Sequence, residues 1–157
     1  MKRNIKIKSA SFPVFLGNVA ANVKQIKELI KKAEEEKVNI LSLPELCLTG
    51  ASLYDAYLEE DLLKAAEDGL KDLIAFSENF DLAFTIGLPI SSEFGLYNAM
   101  ALIKSGDLLS LVCKENLKTY EKTIFEANPR GEFKGLSYYL DSQPYLIVIS
   151  GQKIGMT

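Results

Sequence analysis

The run Val38 to Leu43 constrains this chain more than any other: it is largely apolar, too short for a helix, and cut off by Pro44. A run of that length with a proline at its end reads as a buried strand. The residues before it have helical period. Val19, Val23, Ile26, Ile30 and Ala33 recur at that spacing, Lys24, Lys27, Lys31 and Lys32 take the solvent side, and Asn18 is placed to cap the first turn. Earlier still, Ile5 and Ile7 alternate with Lys6 and Lys8, as in a strand with one wet face that ends at the Phe12-Pro13 break. Strand, helix and strand in that order make a crossover unit, whose two strands run parallel. The fold class is therefore α/β.

The rest of the chain extends the sheet. Leu62, Leu63, Ala66, Leu70, Leu73 and Ile74 predict a second helix, with Glu59, Glu60 and Asp61 at its N-terminal end, where the macrodipole favours negative charge. Strands are expected at Asp81 to Leu88, Tyr97 to Ile103 and Leu108 to Cys113. The last two are joined by the hairpin turn Lys104-Ser105-Gly106-Asp107, which makes the sheet mixed. Lys114 to Ser137 is polar and irregular and reads as a long surface excursion, a place where function concentrates. Tyr145 to Ile149 and Lys153 to Met156 predict two more strands about a turn at Ser150-Gly151. No repeat or linker divides the chain, so residues 1–157 are expected to be one unit without an internal boundary.

Charge and composition exclude several classes. With 18 basic and 21 acidic residues there is no positive excess to neutralise a phosphate backbone, so nucleic acid is not expected as a partner. No apolar run approaches the length of a membrane helix, and Met1 to Lys8 lacks the apolar centre of a signal peptide, which implies a cytoplasmic protein. Cys47 and Cys113 are too few and too far apart for a disulfide framework or a zinc cluster. The absence of histidine removes every Ser-His-Asp or Cys-His mechanism and the histidine-containing zinc motifs. If the chain takes part in catalysis, carboxylates and lysines must move the protons.

Glu45 stands just past the carboxyl end of a buried strand, where open α/β sheets place their ligand crevices. Held among Leu46, Leu48 and the strand it would be poorly solvated, and a poorly solvated carboxylate is the stronger base. The plainer reading is a cap for the following turn. Lys114 closes the strand Leu108 to Cys113 and could project into the same pocket from a neighbouring strand end, or could merely snorkel to water. Together they would supply a base and a fixed positive charge, two of the three things amide hydrolysis needs. Neither cysteine is well placed as the third. Cys113 precedes Lys114 along a strand and so faces the other way, and Cys47 sits in an apolar setting that suits a core residue.

Pro44-Glu45-Leu46-Cys47-Leu48-Thr49-Gly50 resembles a motif of the glutaminase domains of glutamine-dependent NAD synthetases, within the carbon-nitrogen hydrolase (nitrilase) superfamily. The resemblance continues through Phe12 to Asn22, Gly87-Leu88-Pro89, Leu96-Tyr97-Asn98 and Gly106 to Lys114, and spans essentially the whole chain. It implies a partial α-β-β-α sandwich and a Cys-Glu-Lys mechanism with Glu45 as general base and Lys114 as the lysine that stabilises the oxyanion. Tyr120 answers to either of two family tyrosines, in a substrate-binding or supporting place, and Glu121 resembles a carboxylate beside the lysine. The implied substrate is glutamine, and the implied partner is a C-terminal synthetase domain, where ATP and magnesium would be used to amidate deamido-NAD. No cofactor or metal is implied for this domain, and a homo-oligomer is expected.

The sequence departs from the pattern in three places. Ala51 stands where the family usually has tyrosine, and the segment after Lys114 is a few residues shorter. The resemblance also puts the nucleophilic cysteine shortly past Thr157, so the expectation is that these residues form roughly the first half of the domain, inactive alone and prone to self-association through an unpaired sheet edge. A non-catalytic remnant or a stand-alone amidase of the same superfamily are the alternatives.

Overall fold

A computed structural model of the chain describes residues 4–133, 136, 138–140, 145–149 and 152–156. Strand β1 (Ile7–Ser9), helix α1 (Val19–Glu35) and strand β2 (Ile40–Ser42) form the expected crossover, and β1 pairs with β2 in parallel. Asn18 caps α1 by accepting a hydrogen bond from the N–H of Ala21 at 3.1 Å. Helix α2 (Glu60–Phe76) carries Glu60 and Asp61 in its first turn and leads to β3 (Ala83–Ser92), which lies parallel to β2. Strands β4 (Gly95–Lys104) and β5 (Asp107–Cys113) then add antiparallel, giving a five-stranded mixed sheet in the order β1-β2-β3-β4-β5. The turn between β4 and β5 has Ser105 and Gly106 both at positive φ, 50° and 85°, the backbone a two-residue hairpin loop requires.

The two helices lie against one face of the sheet. Ile26, Ile30, Leu70 and Leu73 from the helices meet Leu41, Phe84, Ile86, Leu88 and Ala101 from the strands in a single core. The alternation of β-strands leaves the intervening residues on the opposite face, where Ile40, Ala83 and Leu102 form a small cluster with Ile5 and Leu109. The wet face of β1 is not the one its lysines suggest. Lys6 and Lys8 turn to the C-terminal end of α1, donating to the backbone oxygen and the carboxylate of Glu36, whereas Ile7 is 61% exposed.

Two further expectations change. Strand β3 does not stop at Leu88 but runs through Pro89 to Ser92, and a tight turn returns it to β4. The carbonyls of Thr85 and Gly87 point towards the chain that follows β2, accepting from Leu43 and Leu48, so the nitrogen of Pro89 points the same way, past the end of β2. A proline costs no ladder hydrogen bond there. The stretch after Lys114 is also more than a surface excursion. Leu117, Glu121, Phe125 and Phe133 are buried, and Leu117 and Phe125 join Leu46, Tyr57 and Leu96 in a second cluster at the carboxyl end of β2. Strands β6 (Glu132–Phe133) and β7 (Tyr138–Tyr139) pair with each other, as do β8 (Tyr145–Ile149) and β9 (Gln152–Met156). The expected turn at Ser150-Gly151 lies outside the described residues. No helix among the described residues is long and apolar enough to cross a membrane.

Candidate active site

Beyond Ser42 the chain does not leave the sheet at once. Leu43 donates to the carbonyl of Thr85 at 3.2 Å and Leu48 to that of Gly87 at 3.1 Å, and between them Pro44 to Cys47 bulge out as a turn closed by the Cys47 N–H on the Pro44 carbonyl. Leu46 takes φ 51° to close it, a left-handed conformation that costs a branched residue on the order of 1 kcal/mol. That cost is offset locally, because the Leu46 carbonyl accepts from both Thr49 and Gly50 and its side chain is buried. The turn lies directly on β3. A Cβ at Gly87 would stand 2.3 Å from the Leu46 nitrogen and 2.8 Å from the Glu45 carbonyl carbon, so only glycine lets the turn sit this low.

This placement carries Glu45 across the sheet. Glu45 follows β2 and Lys114 follows β5, and two strands separate them, so they do not project from neighbouring strands. They meet all the same: Lys114 Nζ donates to Glu45 Oε1 at 2.7 Å. Lys114 also donates to Glu121 Oε1 at 2.7 Å, and the other oxygen of Glu121 accepts from the backbone N–H of Lys118 at 2.7 Å. Asn98, on β4 between the two strand ends, donates from Nδ2 to Glu45 Oε1 at 2.6 Å. The expected poor solvation of Glu45 is not found. Its side chain is 50% exposed, because Leu46 and Leu48 pack into the cores while the turn lifts the carboxylate away from them. Glu121 is the buried acid, its side chain 6% exposed.

Burial alone would push the Lys114 pKa down, but its hydrogen bonds to Glu121 and Glu45 outweigh this and hold it above its ordinary 10.5. Burial likewise works to raise the Glu121 pKa, and the bonds from Lys114 and the Lys118 backbone win, holding it below 4.5. Both groups are therefore charged across the neutral range. Their contribution to stability is complete between those two ordinary values. It fades as pH falls through the lowered Glu121 pKa or rises through the raised Lys114 pKa. Thermal melts should accordingly drop below about pH 4, and Glu121→Gln should flatten that acid limb; an unchanged limb in the variant would assign the drop to other carboxylates.

The Tyr120 side chain makes no hydrogen bond to Glu45 or Lys114. It is 55% exposed and borders, with Glu45, Glu121, Ala51 and Tyr54, a cavity of about 110 Å³. A second hollow of about 350 Å³ opens on the other side of Glu45, along Asn98, Met100, Val112 and Lys114. Neither cysteine belongs to the charged cluster. Cys47 is 1% exposed and burial pushes its thiol up to about 11; Cys113 borders the larger hollow but is 3% exposed in the helix-side core, and burial followed by the charge of Glu115 pushes it up to about 12. A thiol that stays protonated at neutral pH is a poor nucleophile.

Sequence reasoning had no role for Asn98 or Gly87, although an asparagine between Tyr97 and Ala99 on a buried strand was a visible anomaly. Buried polar side chains need a partner, and that signal could have pointed to Asn98. For Gly87 the signal was a glycine inside a predicted strand, which points to close approach of another backbone, but the neighbour comes from a different part of the chain and could not be named from the pattern.

The family model for carbon-nitrogen hydrolases matches residues 8–155. A glutamine-dependent NAD(+) synthetase of Aquifex aeolicus is 30% identical over 154 residues, which cover 98% of this chain and 25% of that protein. Among solved structures, a glutamine-dependent NAD(+) synthetase from Cytophaga hutchinsonii superimposes with a TM-score of 0.75 at 26% identity, covering 97% of this chain and 25% of the other. An amidase from Nesterenkonia sp. shares the fold, with a TM-score of 0.73 at 17% identity over 96% of this chain and 54% of that one. The chain spans about a quarter of the length of these two synthetases.

Proposed function

This chain belongs to the carbon-nitrogen hydrolase family, and from that premise we propose that it supplies the base and the lysine of a glutaminase site that releases ammonia for NAD synthesis. The observation that carries the reading is the 2.7 Å contact between Lys114 and Glu45, made by residues that follow strands two places apart in the sheet. In the proposed reaction Glu45 takes the proton of an attacking thiol, and the sulfur adds to the carboxamide carbon of glutamine. The carbonyl oxygen becomes negative and is met by Lys114, which spends two of its three N–H bonds on Glu45 and Glu121 and has one left for it. Glu45 then returns the proton to the departing nitrogen, ammonia leaves, and water hydrolyses the glutamyl thioester with Glu45 again as base. Glu121 keeps Lys114 charged and aimed, and Tyr120 borders the cavity where the substrate's chain would lie.

The attacking thiol is neither Cys47 nor Cys113 in this reading. The relatives whose names specify glutamine and NAD(+) support a coupling in which the ammonia passes to a synthetase domain that uses ATP and magnesium to amidate deamido-NAD. Ammonia release from glutamine by the protein that carries these residues tests the proposal. The double variant Cys47→Ala/Cys113→Ala removes two buried sulfur atoms outside the charged cluster and should keep activity within about two-fold, while Glu45→Gln should lose at least about 100-fold. Loss of activity in a folded double-cysteine variant would place the nucleophile at one of them and reject the assignment.

A further inference from the structure

We infer that Asn98 is a positioning residue that decides which oxygen of Glu45 receives the proton, an inference that rests on the reading of Glu45 as the base. Asn98 is 3% exposed and stands directly across from Lys114, since Ala99 pairs with Cys113 and the next rung is closed by the Lys114 N–H on the Asn98 carbonyl at 2.8 Å. Side chains that face each other across a rung leave the sheet on the same side. Asn98 therefore holds Lys114 through its main chain and Glu45 through its side chain. Its amide nitrogen, not its oxygen, must face Glu45, because a carboxylate only accepts hydrogen bonds.

The consequence lies in how the donors divide. Asn98 Nδ2 at 2.6 Å and Lys114 Nζ at 2.7 Å both fall on Oε1, and no donor among the described residues reaches Oε2. Oε1 is occupied and its charge is met; Oε2 keeps its lone pairs. When the S–H bond breaks, the new O–H bond forms at Oε2. With Lys114 alone, nothing would stop the half-exposed carboxylate from turning about its last bond so that the cation straddles both oxygens, and the base would lose its free site. Asn98 fixes the rotation from a rigid, buried strand, where side-chain order is cheap to maintain.

With glutamine as the probe, Asn98→Leu and Asn98→Asp in the protein that carries these residues should lower kcat about 100-fold with KM within about three-fold. A kcat equal to wild type, or a rise in KM with kcat intact, would overturn the inference. A second measurement does not need turnover or a substituted Asn98. One Nδ2 proton of Asn98 should resonate downfield in the nitrogen-15 labelled protein and move upfield in Glu45→Gln, a near-isosteric change at a half-exposed position. A resonance indifferent to Glu45→Gln rejects the positioning role, whatever the kinetics. If wild type releases no ammonia from glutamine while the resonance does respond, the glutaminase reading fails and the Asn98–Glu45 contact stands.

Discussion

Replacing Gly87 by alanine should cut ammonia release about 100-fold and destabilise the fold by about 3 kcal/mol. The added methyl would stand 2.3 Å from the Leu46 nitrogen and 2.8 Å from the Pro44 oxygen. These are backbone atoms with no rotamer to escape into, so the cost belongs at the upper end for overpacking. Either the turn rises off β3 or β3 bows. The turn is held at both ends by Leu43 on Thr85 and Leu48 on Gly87, so the displacement goes into its middle, where Glu45 sits. A shift of about 1 Å there is enough to break a 2.7 Å contact with Lys114, and misplacement of that size costs catalysis about two orders of magnitude. Gly17→Ala serves as the control. Gly17 has φ 72° but nothing within 4 Å of a Cβ, so the change should cost about 1 kcal/mol of backbone strain and spare the site. Urea melts and ammonia release on both variants decide the matter; a Gly87→Ala protein as active as wild type would mean that the turn does not set the position of Glu45.

Lys114→Met should remove nearly all turnover and separate the lysine's two roles. Removing a donor aimed at a developing oxyanion costs about 100- to 1,000-fold, and here the same change also leaves Glu121 with only the Lys118 N–H for company. A carboxylate that is 6% exposed and has lost its cation should cost about 2 to 3 kcal/mol, tempered by the partial exposure of Lys114 itself. Adding Glu121→Leu removes the stranded charge, so the double variant should regain most of the lost stability and none of the activity. A double variant no more stable than Lys114→Met would show that the stranded charge on Glu121 is not what destabilises the single variant.

Some of this was legible in one dimension. The apolar period of α1, the Asn18 cap, the acidic start of α2 and the Ser105-Gly106 hairpin depend on residues close in sequence, so pattern and local chemistry sufficed. The extent of β3 was not legible. Pro89 ordinarily ends a strand, and its tolerance depends on β2 having already stopped beside it. The segment after Lys114 misled because its buried residues, Leu117, Glu121 and Phe125, are spaced among polar ones without a helical or strand period.

The layers follow from local pattern alone: an amphipathic helix between two short strands can bury its apolar stripe only against a sheet, and that requirement needs no knowledge of distant residues. It also presented Glu45 and Lys114 as chemical types at strand ends. That they meet across two intervening strands is a matter of three dimensions, because their contact depends on a turn lying flat on Gly87, with Asn98 on β4 donating to the same Glu45 oxygen. Contacts between residues far apart in the chain follow from strand order and register, which a sequence specifies only through the packing of the whole.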